Sequence, residues 1–201
     1  SRKKFNELHN NCAGKHLAML TSCLVNNQNI NNYLDYNHTH QKNIRQVFNK
    51  FTETKLSKKN FSLDGCSAPQ YSFKIKSISK ALNNLIKSYK DGYDYCEEVK
   101  TLINSVLENP EFIGGTESFD TKVMKASRGK IFCKSGAEGV FLFVDFHKEI
   151  SGVIKITDGN ERAIPIAMLN IFKKFKVMSK VELKNLEKKE KFELKNHAGR
   201  N

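Results

Sequence analysis

The sequence predicts an α+β fold in which helices pack on an antiparallel sheet. Residues 17–110 contain several stretches with apolar residues three and four apart, which is typical of amphipathic helices. Residues 129–159 contain β-branched and aromatic runs separated by glycine, which is typical of adjacent antiparallel strands. A further helical pattern follows the strands. Because neither an internal repeat nor a linker interrupts this order, we expect one domain over residues 1–201.

The first part of the chain is expected to form four helices. The first, "LAMLTSCLV", is expected to be buried and to begin at the preceding motif "HNNCAGKH". The last is expected to stop at Pro110, because proline cannot continue a helix. Between the second and third, the Asp-Gly and Ala-Pro pairs of residues 61–73 predict an irregular loop. The four helices are predicted at residues 17–25, 41–53, 75–89 and 97–110.

The remaining elements follow in order along the second half of the chain. Residues 129–146 and 151–159 predict the adjacent strands, and residues 163–175 predict another helix. The lysine-rich residues 180–194 predict a solvated helix or tail, because such charge runs usually face water.

The composition argues against a membrane or nucleic-acid partner. Hydrophobic residues make up 39% of the 201 residues, and no run approaches the length of a membrane span. The net charge of +13 comes mainly from lysines spread along the chain. Base recognition favours arginine, so we expect no nucleic-acid partner.

The five cysteines predict a reducing compartment. They form an odd set without a Cys-x-x-Cys pair, and no secretory signal precedes them. We therefore expect a soluble cytoplasmic protein. Cys23, Cys96 and Cys133 are expected to be small buried hydrophobic residues.

The motif "HNNCAGKH" suggests part of a metal site. Cys12 and Lys15 are three residues apart at a helix start, so their side chains can share one helix face. Cys66, in the glycine-containing segment that follows, can complete a site with one open position. Two unconnected thiols are the alternative, and His9 or His16 can replace Lys15 as a ligand. Spacing alone does not choose among them.

A second candidate is the tripeptide Lys134-Ser135-Gly136 on a predicted strand. Penicillin-binding proteins and class A β-lactamases have a similar strand motif, which works with a Ser-x-x-Lys nucleophile pair. Ser-x-x-Lys strings begin here at Ser1, Ser77 and Ser127. Lysine is so abundant that chance produces strings of this kind, so none of them identifies a nucleophile.

Five ordered strings resemble the L-asparaginase II family of the rhizobial type: "LHNNCAGKH", "DGCSAP", "GTESFDTKVM", "KSGAEGV" and "KITDGNERA". The resemblance extends at least from Leu8 to Arg162. It implies a fold like that of serine β-lactamases and penicillin-binding proteins. It also implies hydrolysis of L-asparagine to L-aspartate and ammonia through a serine/lysine acyl-enzyme, and a Zn²⁺ ion near the active site.

The resemblance also implies roles for individual residues. Cys12, Lys15 and Cys66 match the zinc ligands of the family, which implies Lys15 rather than a histidine. Asp64 matches an acidic residue that holds Lys15 or the metal-bound water. Lys134 matches a catalytic lysine that takes and returns a proton as a serine attacks the amide carbon.

Glu138 and Arg162 are candidate substrate-binding residues. Their charges suit the α-amino and α-carboxylate groups of an amino-acid substrate. An ordinary surface ion pair is the alternative for each of them. The same fold also supports a related amidase or glutaminase, because no residue has been tied to the substrate side chain.

Part of the family pattern has no counterpart in the chain. In the family, the Ser-x-x-Lys pair and the serine that partners the strand lysine belong to a segment before the HNNC motif. We therefore expect roughly the C-terminal two thirds of an asparaginase II-like domain, incomplete in fold and without the nucleophile. The alternatives are a decayed or split reading frame, a partner chain that supplies the missing part, and a non-catalytic zinc-binding remnant. The sequence is also compatible with a homodimer.

Overall fold

The computed structural model describes residues 4, 6–188 and 190. The chain divides into two compact units, with the boundary between Ser77 and Ile78. The described residues form eight α-helices and two small antiparallel sheets, an α+β composition as the sequence predicts. The arrangement expected of a serine β-lactamase-like fold, and the single domain over residues 1–201, stay predictions. Within the described part of the chain, no helix is both long and apolar enough to cross a lipid bilayer.

The first unit contains two α-helices and a hairpin. Helix α1 covers Ala13–Val25 and α2 covers Thr39–Thr52, and the two helices contact each other. Strands β1 (Phe61–Leu63) and β2 (Pro69–Tyr71) pair antiparallel, and short 3-10 turns lie at Glu7–His9 and Lys58–Asn60.

Helix α1 begins at the HNNC motif as predicted, but its expected burial is only partly correct. Met19 and Cys23 lie in the interior, while Leu17, Leu24 and Val25 are exposed. Helical spacing therefore identifies the helix correctly, but it overestimates how much of its surface is covered.

The hairpin corrects the prediction of an irregular loop at residues 61–73. Phe61 pairs with Tyr71, Ser62 with Gln70 and Leu63 with Pro69. Each strand has only three residues, which is too short for alternation between buried and exposed positions to stand out in the sequence. The Asp-Gly pair does mark a turn, since it lies between the two strands.

The second unit is built around a three-stranded sheet. Its strands lie in the order β3–β4–β5, all antiparallel, so β3 is an edge strand. Helix α3 begins at the end of the first unit and continues into the second. The elements are α3 (Ile75–Tyr89), α4 (Cys96–Glu108), α5 (Glu111–Gly114), α6 (Phe119–Ala126), β3 (Ile131–Gly136), β4 (Val140–Asp145), β5 (Ile150–Lys155), α7 (Ile164–Lys174) and α8 (Lys180–Glu187).

The core of this unit lies between the sheet and the helices. Cys133 and Phe141 from the strands and Met168 and Phe172 from α7 are fully buried together. Helix α6 packs along the edge strand β3. At roughly 25 cal/mol for each Å² of buried apolar surface, such large side chains make this cluster the main source of stability in the unit.

Several predictions for the second unit need correction. Helices α5 and α6 were not expected from periodicity. Helix α8 is not fully solvated, because Leu183 and Leu186 are buried. The rest of the predicted lysine-rich segment, apart from Lys188 and Glu190, lies outside the described residues. Cys23 and Cys133 are buried as predicted, whereas Cys96 is only half-buried.

Candidate metal centre and lysine site

The first turn of α1 brings Cys12 and Lys15 to one place. Cys12 is the N-cap residue of the helix, and its backbone N–H donates to the Asn10 side-chain oxygen at 2.7 Å. Lys15 lies one turn further on and reaches the hairpin of the same unit, where its Nζ is 2.5 Å from Asp64 Oδ2. A single ion pair thus connects residues that are far apart in the sequence.

Asp64 organises the turn between β1 and β2. Its Oδ1 accepts hydrogen bonds from the backbone N–H groups of Cys66, at 2.8 Å, and Ala68, at 3.0 Å. Its Oδ2 faces Lys15 and also accepts from the Gln70 amide at 3.2 Å. Because one carboxylate closes the turn that carries Cys66 and also binds Lys15, it holds both candidate ligands together.

The Cys66 thiol lies beside Cys12. The two side chains hydrogen-bond, and this bond, together with burial and the nearby charges of Cys12 and Asp64, raises the pKa of Cys66. The charge of Lys15 acts in the opposite direction and lowers it. Cys66 Sγ also lies 3.9 Å from the Asn10 side-chain oxygen. Both thiols are half-buried, so they remain accessible to a ligand.

Electrostatics fixes the charges of the Lys15–Asp64 pair. Burial alone would lower the pKa of Lys15, but the hydrogen bond and charge of Asp64 raise it overall. Burial alone would raise the pKa of Asp64, but bonds from Lys15 and from the backbone of Ala68 and Cys66 lower it to about 2. At neutral pH, Lys15 is therefore an ammonium and Asp64 a carboxylate.

The two neighbouring histidines have partners elsewhere. His9 Nδ1 lies 2.9 Å from the Asn6 side-chain oxygen at the start of the first 3-10 turn. His16 Nδ1 lies 2.6 Å from the Tyr33 hydroxyl and contacts that ring edge-on. Lys15, by contrast, interacts with both Cys12 and Cys66.

Lys134 lies on the edge strand of the second unit, with its side chain 44% exposed. Its Nζ donates to the backbone carbonyl of Ser135 at 2.5 Å and is 3.8 Å from Asp120 Oδ2. The amine therefore lies along the outer edge of β3, where no further strand pairs with it in the described sheet.

Asp120 is a residue that the sequence reasoning missed. Its side chain is 1% exposed, and its Oδ2 accepts from the Ser135 backbone N–H at 2.7 Å and from the Ser135 hydroxyl at 3.0 Å. It belongs to "GTESFDTKVM", one of the strings that carry the family resemblance, yet no role was assigned to it. Its place in that string was the available signal.

Comparison with protein families identifies the chain. The family model described as L-asparaginase II matches residues 1–201. The chain belongs to the L-asparaginase II family. A search of curated proteins gave no match. Membership supports an asparaginase-type function, a hydrolase that acts on a small-molecule amide.

The first unit of this asparaginase-family chain contains donor atoms of the types that bind Zn²⁺, the metal that the family resemblance implies. Among the described residues, no group of three or more His, Cys, Asp or Glu side chains could hold a metal ion. A site at Cys12 and Cys66 therefore depends on the Lys15 amine as a further donor. Thiolate and nitrogen ligands suit Zn²⁺. Lys15 would have to exchange its proton, and its contact with Asp64, for the metal.

The two candidate substrate-binding residues of this family member lie on the surface of the second unit. Glu138 is exposed in the turn between β3 and β4 with a φ of 60°. Gly139 follows with a φ of 71°, and a Cβ there would lie 2.8 Å from Ile156 Cβ. Arg162 Nη2 binds Asp158 at 2.6 Å, and both side chains are largely exposed. This is the surface ion pair that the sequence left open, and the substrate-binding role stays a prediction for both residues.

Proposed function

We propose that the chain is a zinc-containing L-asparaginase that hydrolyses L-asparagine to L-aspartate and ammonia through a serine acyl-enzyme. The observation that carries this proposal is the environment of Lys134. Its amine lies at the open edge of β3 beside a buried carboxylate, in a chain of the L-asparaginase II family. A lysine accessible to a substrate and supported by a fixed partner suits proton transfer.

Lys134 acts as the general base and then as the general acid. Its neutral amine takes the proton of a serine hydroxyl while the serine oxygen attacks the side-chain amide carbon. The resulting ammonium then gives the proton to the leaving nitrogen, which departs as ammonia. No serine of this chain is assigned as the nucleophile, since the family residues for that role have no match among its motifs.

The turn after β3 is the candidate for holding the developing oxyanion. Residues 136–139 connect β3 to β4 close to Lys134, and this segment begins and ends with a glycine. Backbone donors aimed at the tetrahedral oxygen are the usual source of stabilisation in acyl transfer.

Cys12, Lys15 and Cys66 would hold the zinc ion. Asp64 would then exchange its ion pair with Lys15 for a hydrogen bond to the bound lysine or to a bound water, as outer partners of metal ligands do. A bound Zn²⁺ supplies Lewis-acid polarisation of an oxygen and fixes the loops that ligate it. The need for reduced thiols is why we propose a cytoplasmic location; all five cysteines are free in the structure.

The activity is tested by ammonia release from L-asparagine and from L-glutamine, using the product of the complete open reading frame. We expect asparagine to be preferred and Lys134→Met to lower the rate about 10²- to 10⁴-fold, which leaves a measurable residual activity. Lys155→Met is a matched control, because Lys155 Nζ also donates to the carbonyl of the next residue, at 2.6 Å. Preference for glutamine would favour the related amidase, and equal loss in both variants would contradict the role of Lys134.

The metal is tested by zinc content after purification in zinc-containing buffer. We expect Cys66→Ser to lose zinc and Cys96→Ser to retain it, since the Cys96 thiol donates to the Tyr93 carbonyl instead. Full zinc retention by Cys66→Ser would overturn the ligand assignment. Zinc binding without hydrolysis of either amide would favour a non-catalytic zinc-binding protein.

A further inference from the structure

A buried aspartate supports the lysine strand of the second unit. Asp120 lies in the first turn of α6, whose N-cap Ser118 accepts a hydrogen bond from Thr121 N–H at 3.2 Å. The positive end of the helix dipole favours a carboxylate at this end of a helix. The Asp120 side chain is nevertheless almost fully buried. Burying a carboxylate costs free energy unless hydrogen bonds or opposite charges compensate.

The compensation comes from Ser135. The Ser135 N–H points to the open edge of β3, where no neighbouring strand of the described sheet accepts it. Asp120 Oδ2 accepts that N–H at 2.7 Å and the Ser135 hydroxyl at 3.0 Å. The carboxylate therefore takes the place of a neighbouring strand at this one residue, and it fixes the backbone from which Lys134 projects.

Lys134 faces the same group. Its Nζ donates to the Ser135 carbonyl and lies 3.8 Å from the Asp120 oxygen that binds Ser135. The amine, the serine of the strand and the carboxylate thus form one connected cluster. The one other titratable side chain found to interact with both charges in the described residues is Cys133. Burial, followed by the charge of Asp120, raises the pKa of its thiol well above the usual range, so it stays neutral.

We propose that Asp120 is the positioning residue for Lys134. It is the third member of an arrangement whose other two members are the nucleophilic serine and Lys134. This inference rests on the proposed function. Nucleophile and base are commonly completed by a third group that orients the base. In this arrangement Asp120 takes no part in proton transfer; it holds Lys134 in place and faces the positive charge that Lys134 gains.

The proton and electron pairs balance in the acylation half of the reaction, and water then attacks the acyl-enzyme by the same steps, with Lys134 taking the water proton and returning it to the serine oxygen. The serine O–H proton moves to the Lys134 lone pair, the serine oxygen bonds to the amide carbon, and the carbonyl electron pair moves to its oxygen. When that pair returns, the C–N bond breaks and the Lys134 proton goes to the departing nitrogen. Asp120 acts in both steps by matching the temporary positive charge.

The first test does not depend on activity. The whole chain is labelled with an acylating reagent such as N-hydroxysuccinimide acetate, and the rate at Lys134 relative to Lys155 is measured by peptide mass spectrometry. Removing the carboxylate in Asp120→Asn should speed labelling of Lys134 about threefold, because the amine loses the group that holds it along the edge of β3 and becomes more accessible. Asp145→Asn is the matched control: Asp145, at the end of β4, is also buried, but it accepts hydrogen bonds from the backbone N–H groups of His147 and Lys148 rather than facing Lys134.

Unchanged or slower labelling in folded Asp120→Asn would overturn the inference, as would equal acceleration in Asp145→Asn. If Asp120→Asn does not fold, hydrogen exchange of the Ser135 amide in the unaltered protein decides. We expect protection of this N–H despite its place on an edge strand. Exchange at the rate of an unprotected amide would contradict the contact with Asp120.

The second test uses the active enzyme and a double-mutant cycle. Asp120→Asn should lower kcat for asparagine about 10- to 100-fold with little change in KM, and should have no further effect in the Lys134→Met background. A persistent loss in that background would show that Asp120 does not act through Lys134. If the unaltered protein hydrolyses neither amide, the proposed function fails, while labelling still decides whether Asp120 holds Lys134.

Discussion

Two lysine–aspartate pairs carry the chemistry that we propose, one in each unit, and they differ in how tightly the lysine is held. Lys15 is in direct contact with Asp64 at 2.5 Å, whereas Lys134 is 3.8 Å from Asp120. Asp64 divides its two oxygens between the turn and Lys15. The side-chain hydrogen bonds of Asp120 go to Ser135, so Lys134 is held by Asp120 at longer range, as an ion pair without a direct hydrogen bond.

This difference suits different tasks. A lysine locked against a carboxylate holds a loop in place and gives up its proton only to a strong competitor such as a metal ion. A lysine held at longer range can move toward a substrate and exchange a proton during each turnover. The same two residue types therefore give a closed structural pair in one unit and an open pair in the other.

The largest effect is expected from Lys134→Arg. Arginine places a permanent positive charge beside Asp120 and cannot be deprotonated in a protein, so it cannot act as a base. We expect kcat for asparagine hydrolysis to fall about 10²- to 10⁴-fold while zinc content is unchanged. Lys155→Arg should retain activity. An active Lys134→Arg enzyme would mean that the charge, rather than proton transfer, is what this residue supplies.

The same substitution at the other lysine should give the opposite result in the zinc assay. Lys15→Arg preserves the ion pair with Asp64 but removes the amine lone pair that a metal requires. We expect zinc affinity to fall about 100-fold or more in a competition titration with a chromogenic chelator. Lys42→Arg, at an exposed lysine of α2, is the control. Unchanged zinc affinity in Lys15→Arg would favour His9 or His16 as the ligand in place of Lys15.

A smaller effect is expected from Asp64→Asn. The amide oxygen can still accept the turn hydrogen bonds, but the charge that faces Lys15 is lost. We expect zinc affinity to fall about tenfold, the lower end of the range for partners of metal ligands. Gln70→Ala removes only the 3.2 Å bond to Asp64 Oδ2, and it should change affinity less. If the two variants are equivalent, the charge of Asp64 has no role at the site.

The two units also differ in how well the sequence predicts them. Helix α3 and the three-stranded sheet follow directly from apolar spacing and from glycine-separated β-branched runs, because their buried faces are long enough to show a period. The β1–β2 hairpin is too short for such a period. The exposed side of α1 cannot be recognised either, since spacing shows which residues share a face but not what covers it.

The sites show the same limit. Cys12 and Lys15 are close in sequence, so helix geometry alone relates them, but their meeting with Asp64 and Cys66 depends on the fold of the first unit. Asp120 gives no local pattern, because a single aspartate near a helix start usually faces solvent. Its importance comes from burial and from contact with the edge strand, and neither is visible in one sequence without a structure.

A third lysine–carboxylate pair, with no proposed function, gives the baseline for these comparisons. Glu182 accepts from Lys130 Nζ at 3.1 Å and from the Ser179 backbone N–H at 2.7 Å, and it completes the capping box of α8. Burial alone would raise the pKa of Glu182, but its bonds with Ser179 and Lys130 lower it. A carboxyl group whose pKa is lowered in the folded state stabilises the fold at pH values above its unfolded-state pKa, which is about 4.3 for glutamate. That contribution is lost as the pH falls through the folded-state pKa.

We therefore expect Glu182→Gln to lower the free energy of unfolding by about 1 kcal/mol at pH 7, a typical cost for weakening a helix cap. The difference from the unaltered protein should shrink as the pH falls below about 4, where Glu182 itself becomes neutral. Urea unfolding at both pH values measures it, and Lys155→Met provides a surface control. Zinc content and kcat should not change, because this pair only stabilises the fold. A loss of either function in Glu182→Gln would mean that general destabilisation reaches the sites, and that the effects at Lys15 and Lys134 must be corrected for it.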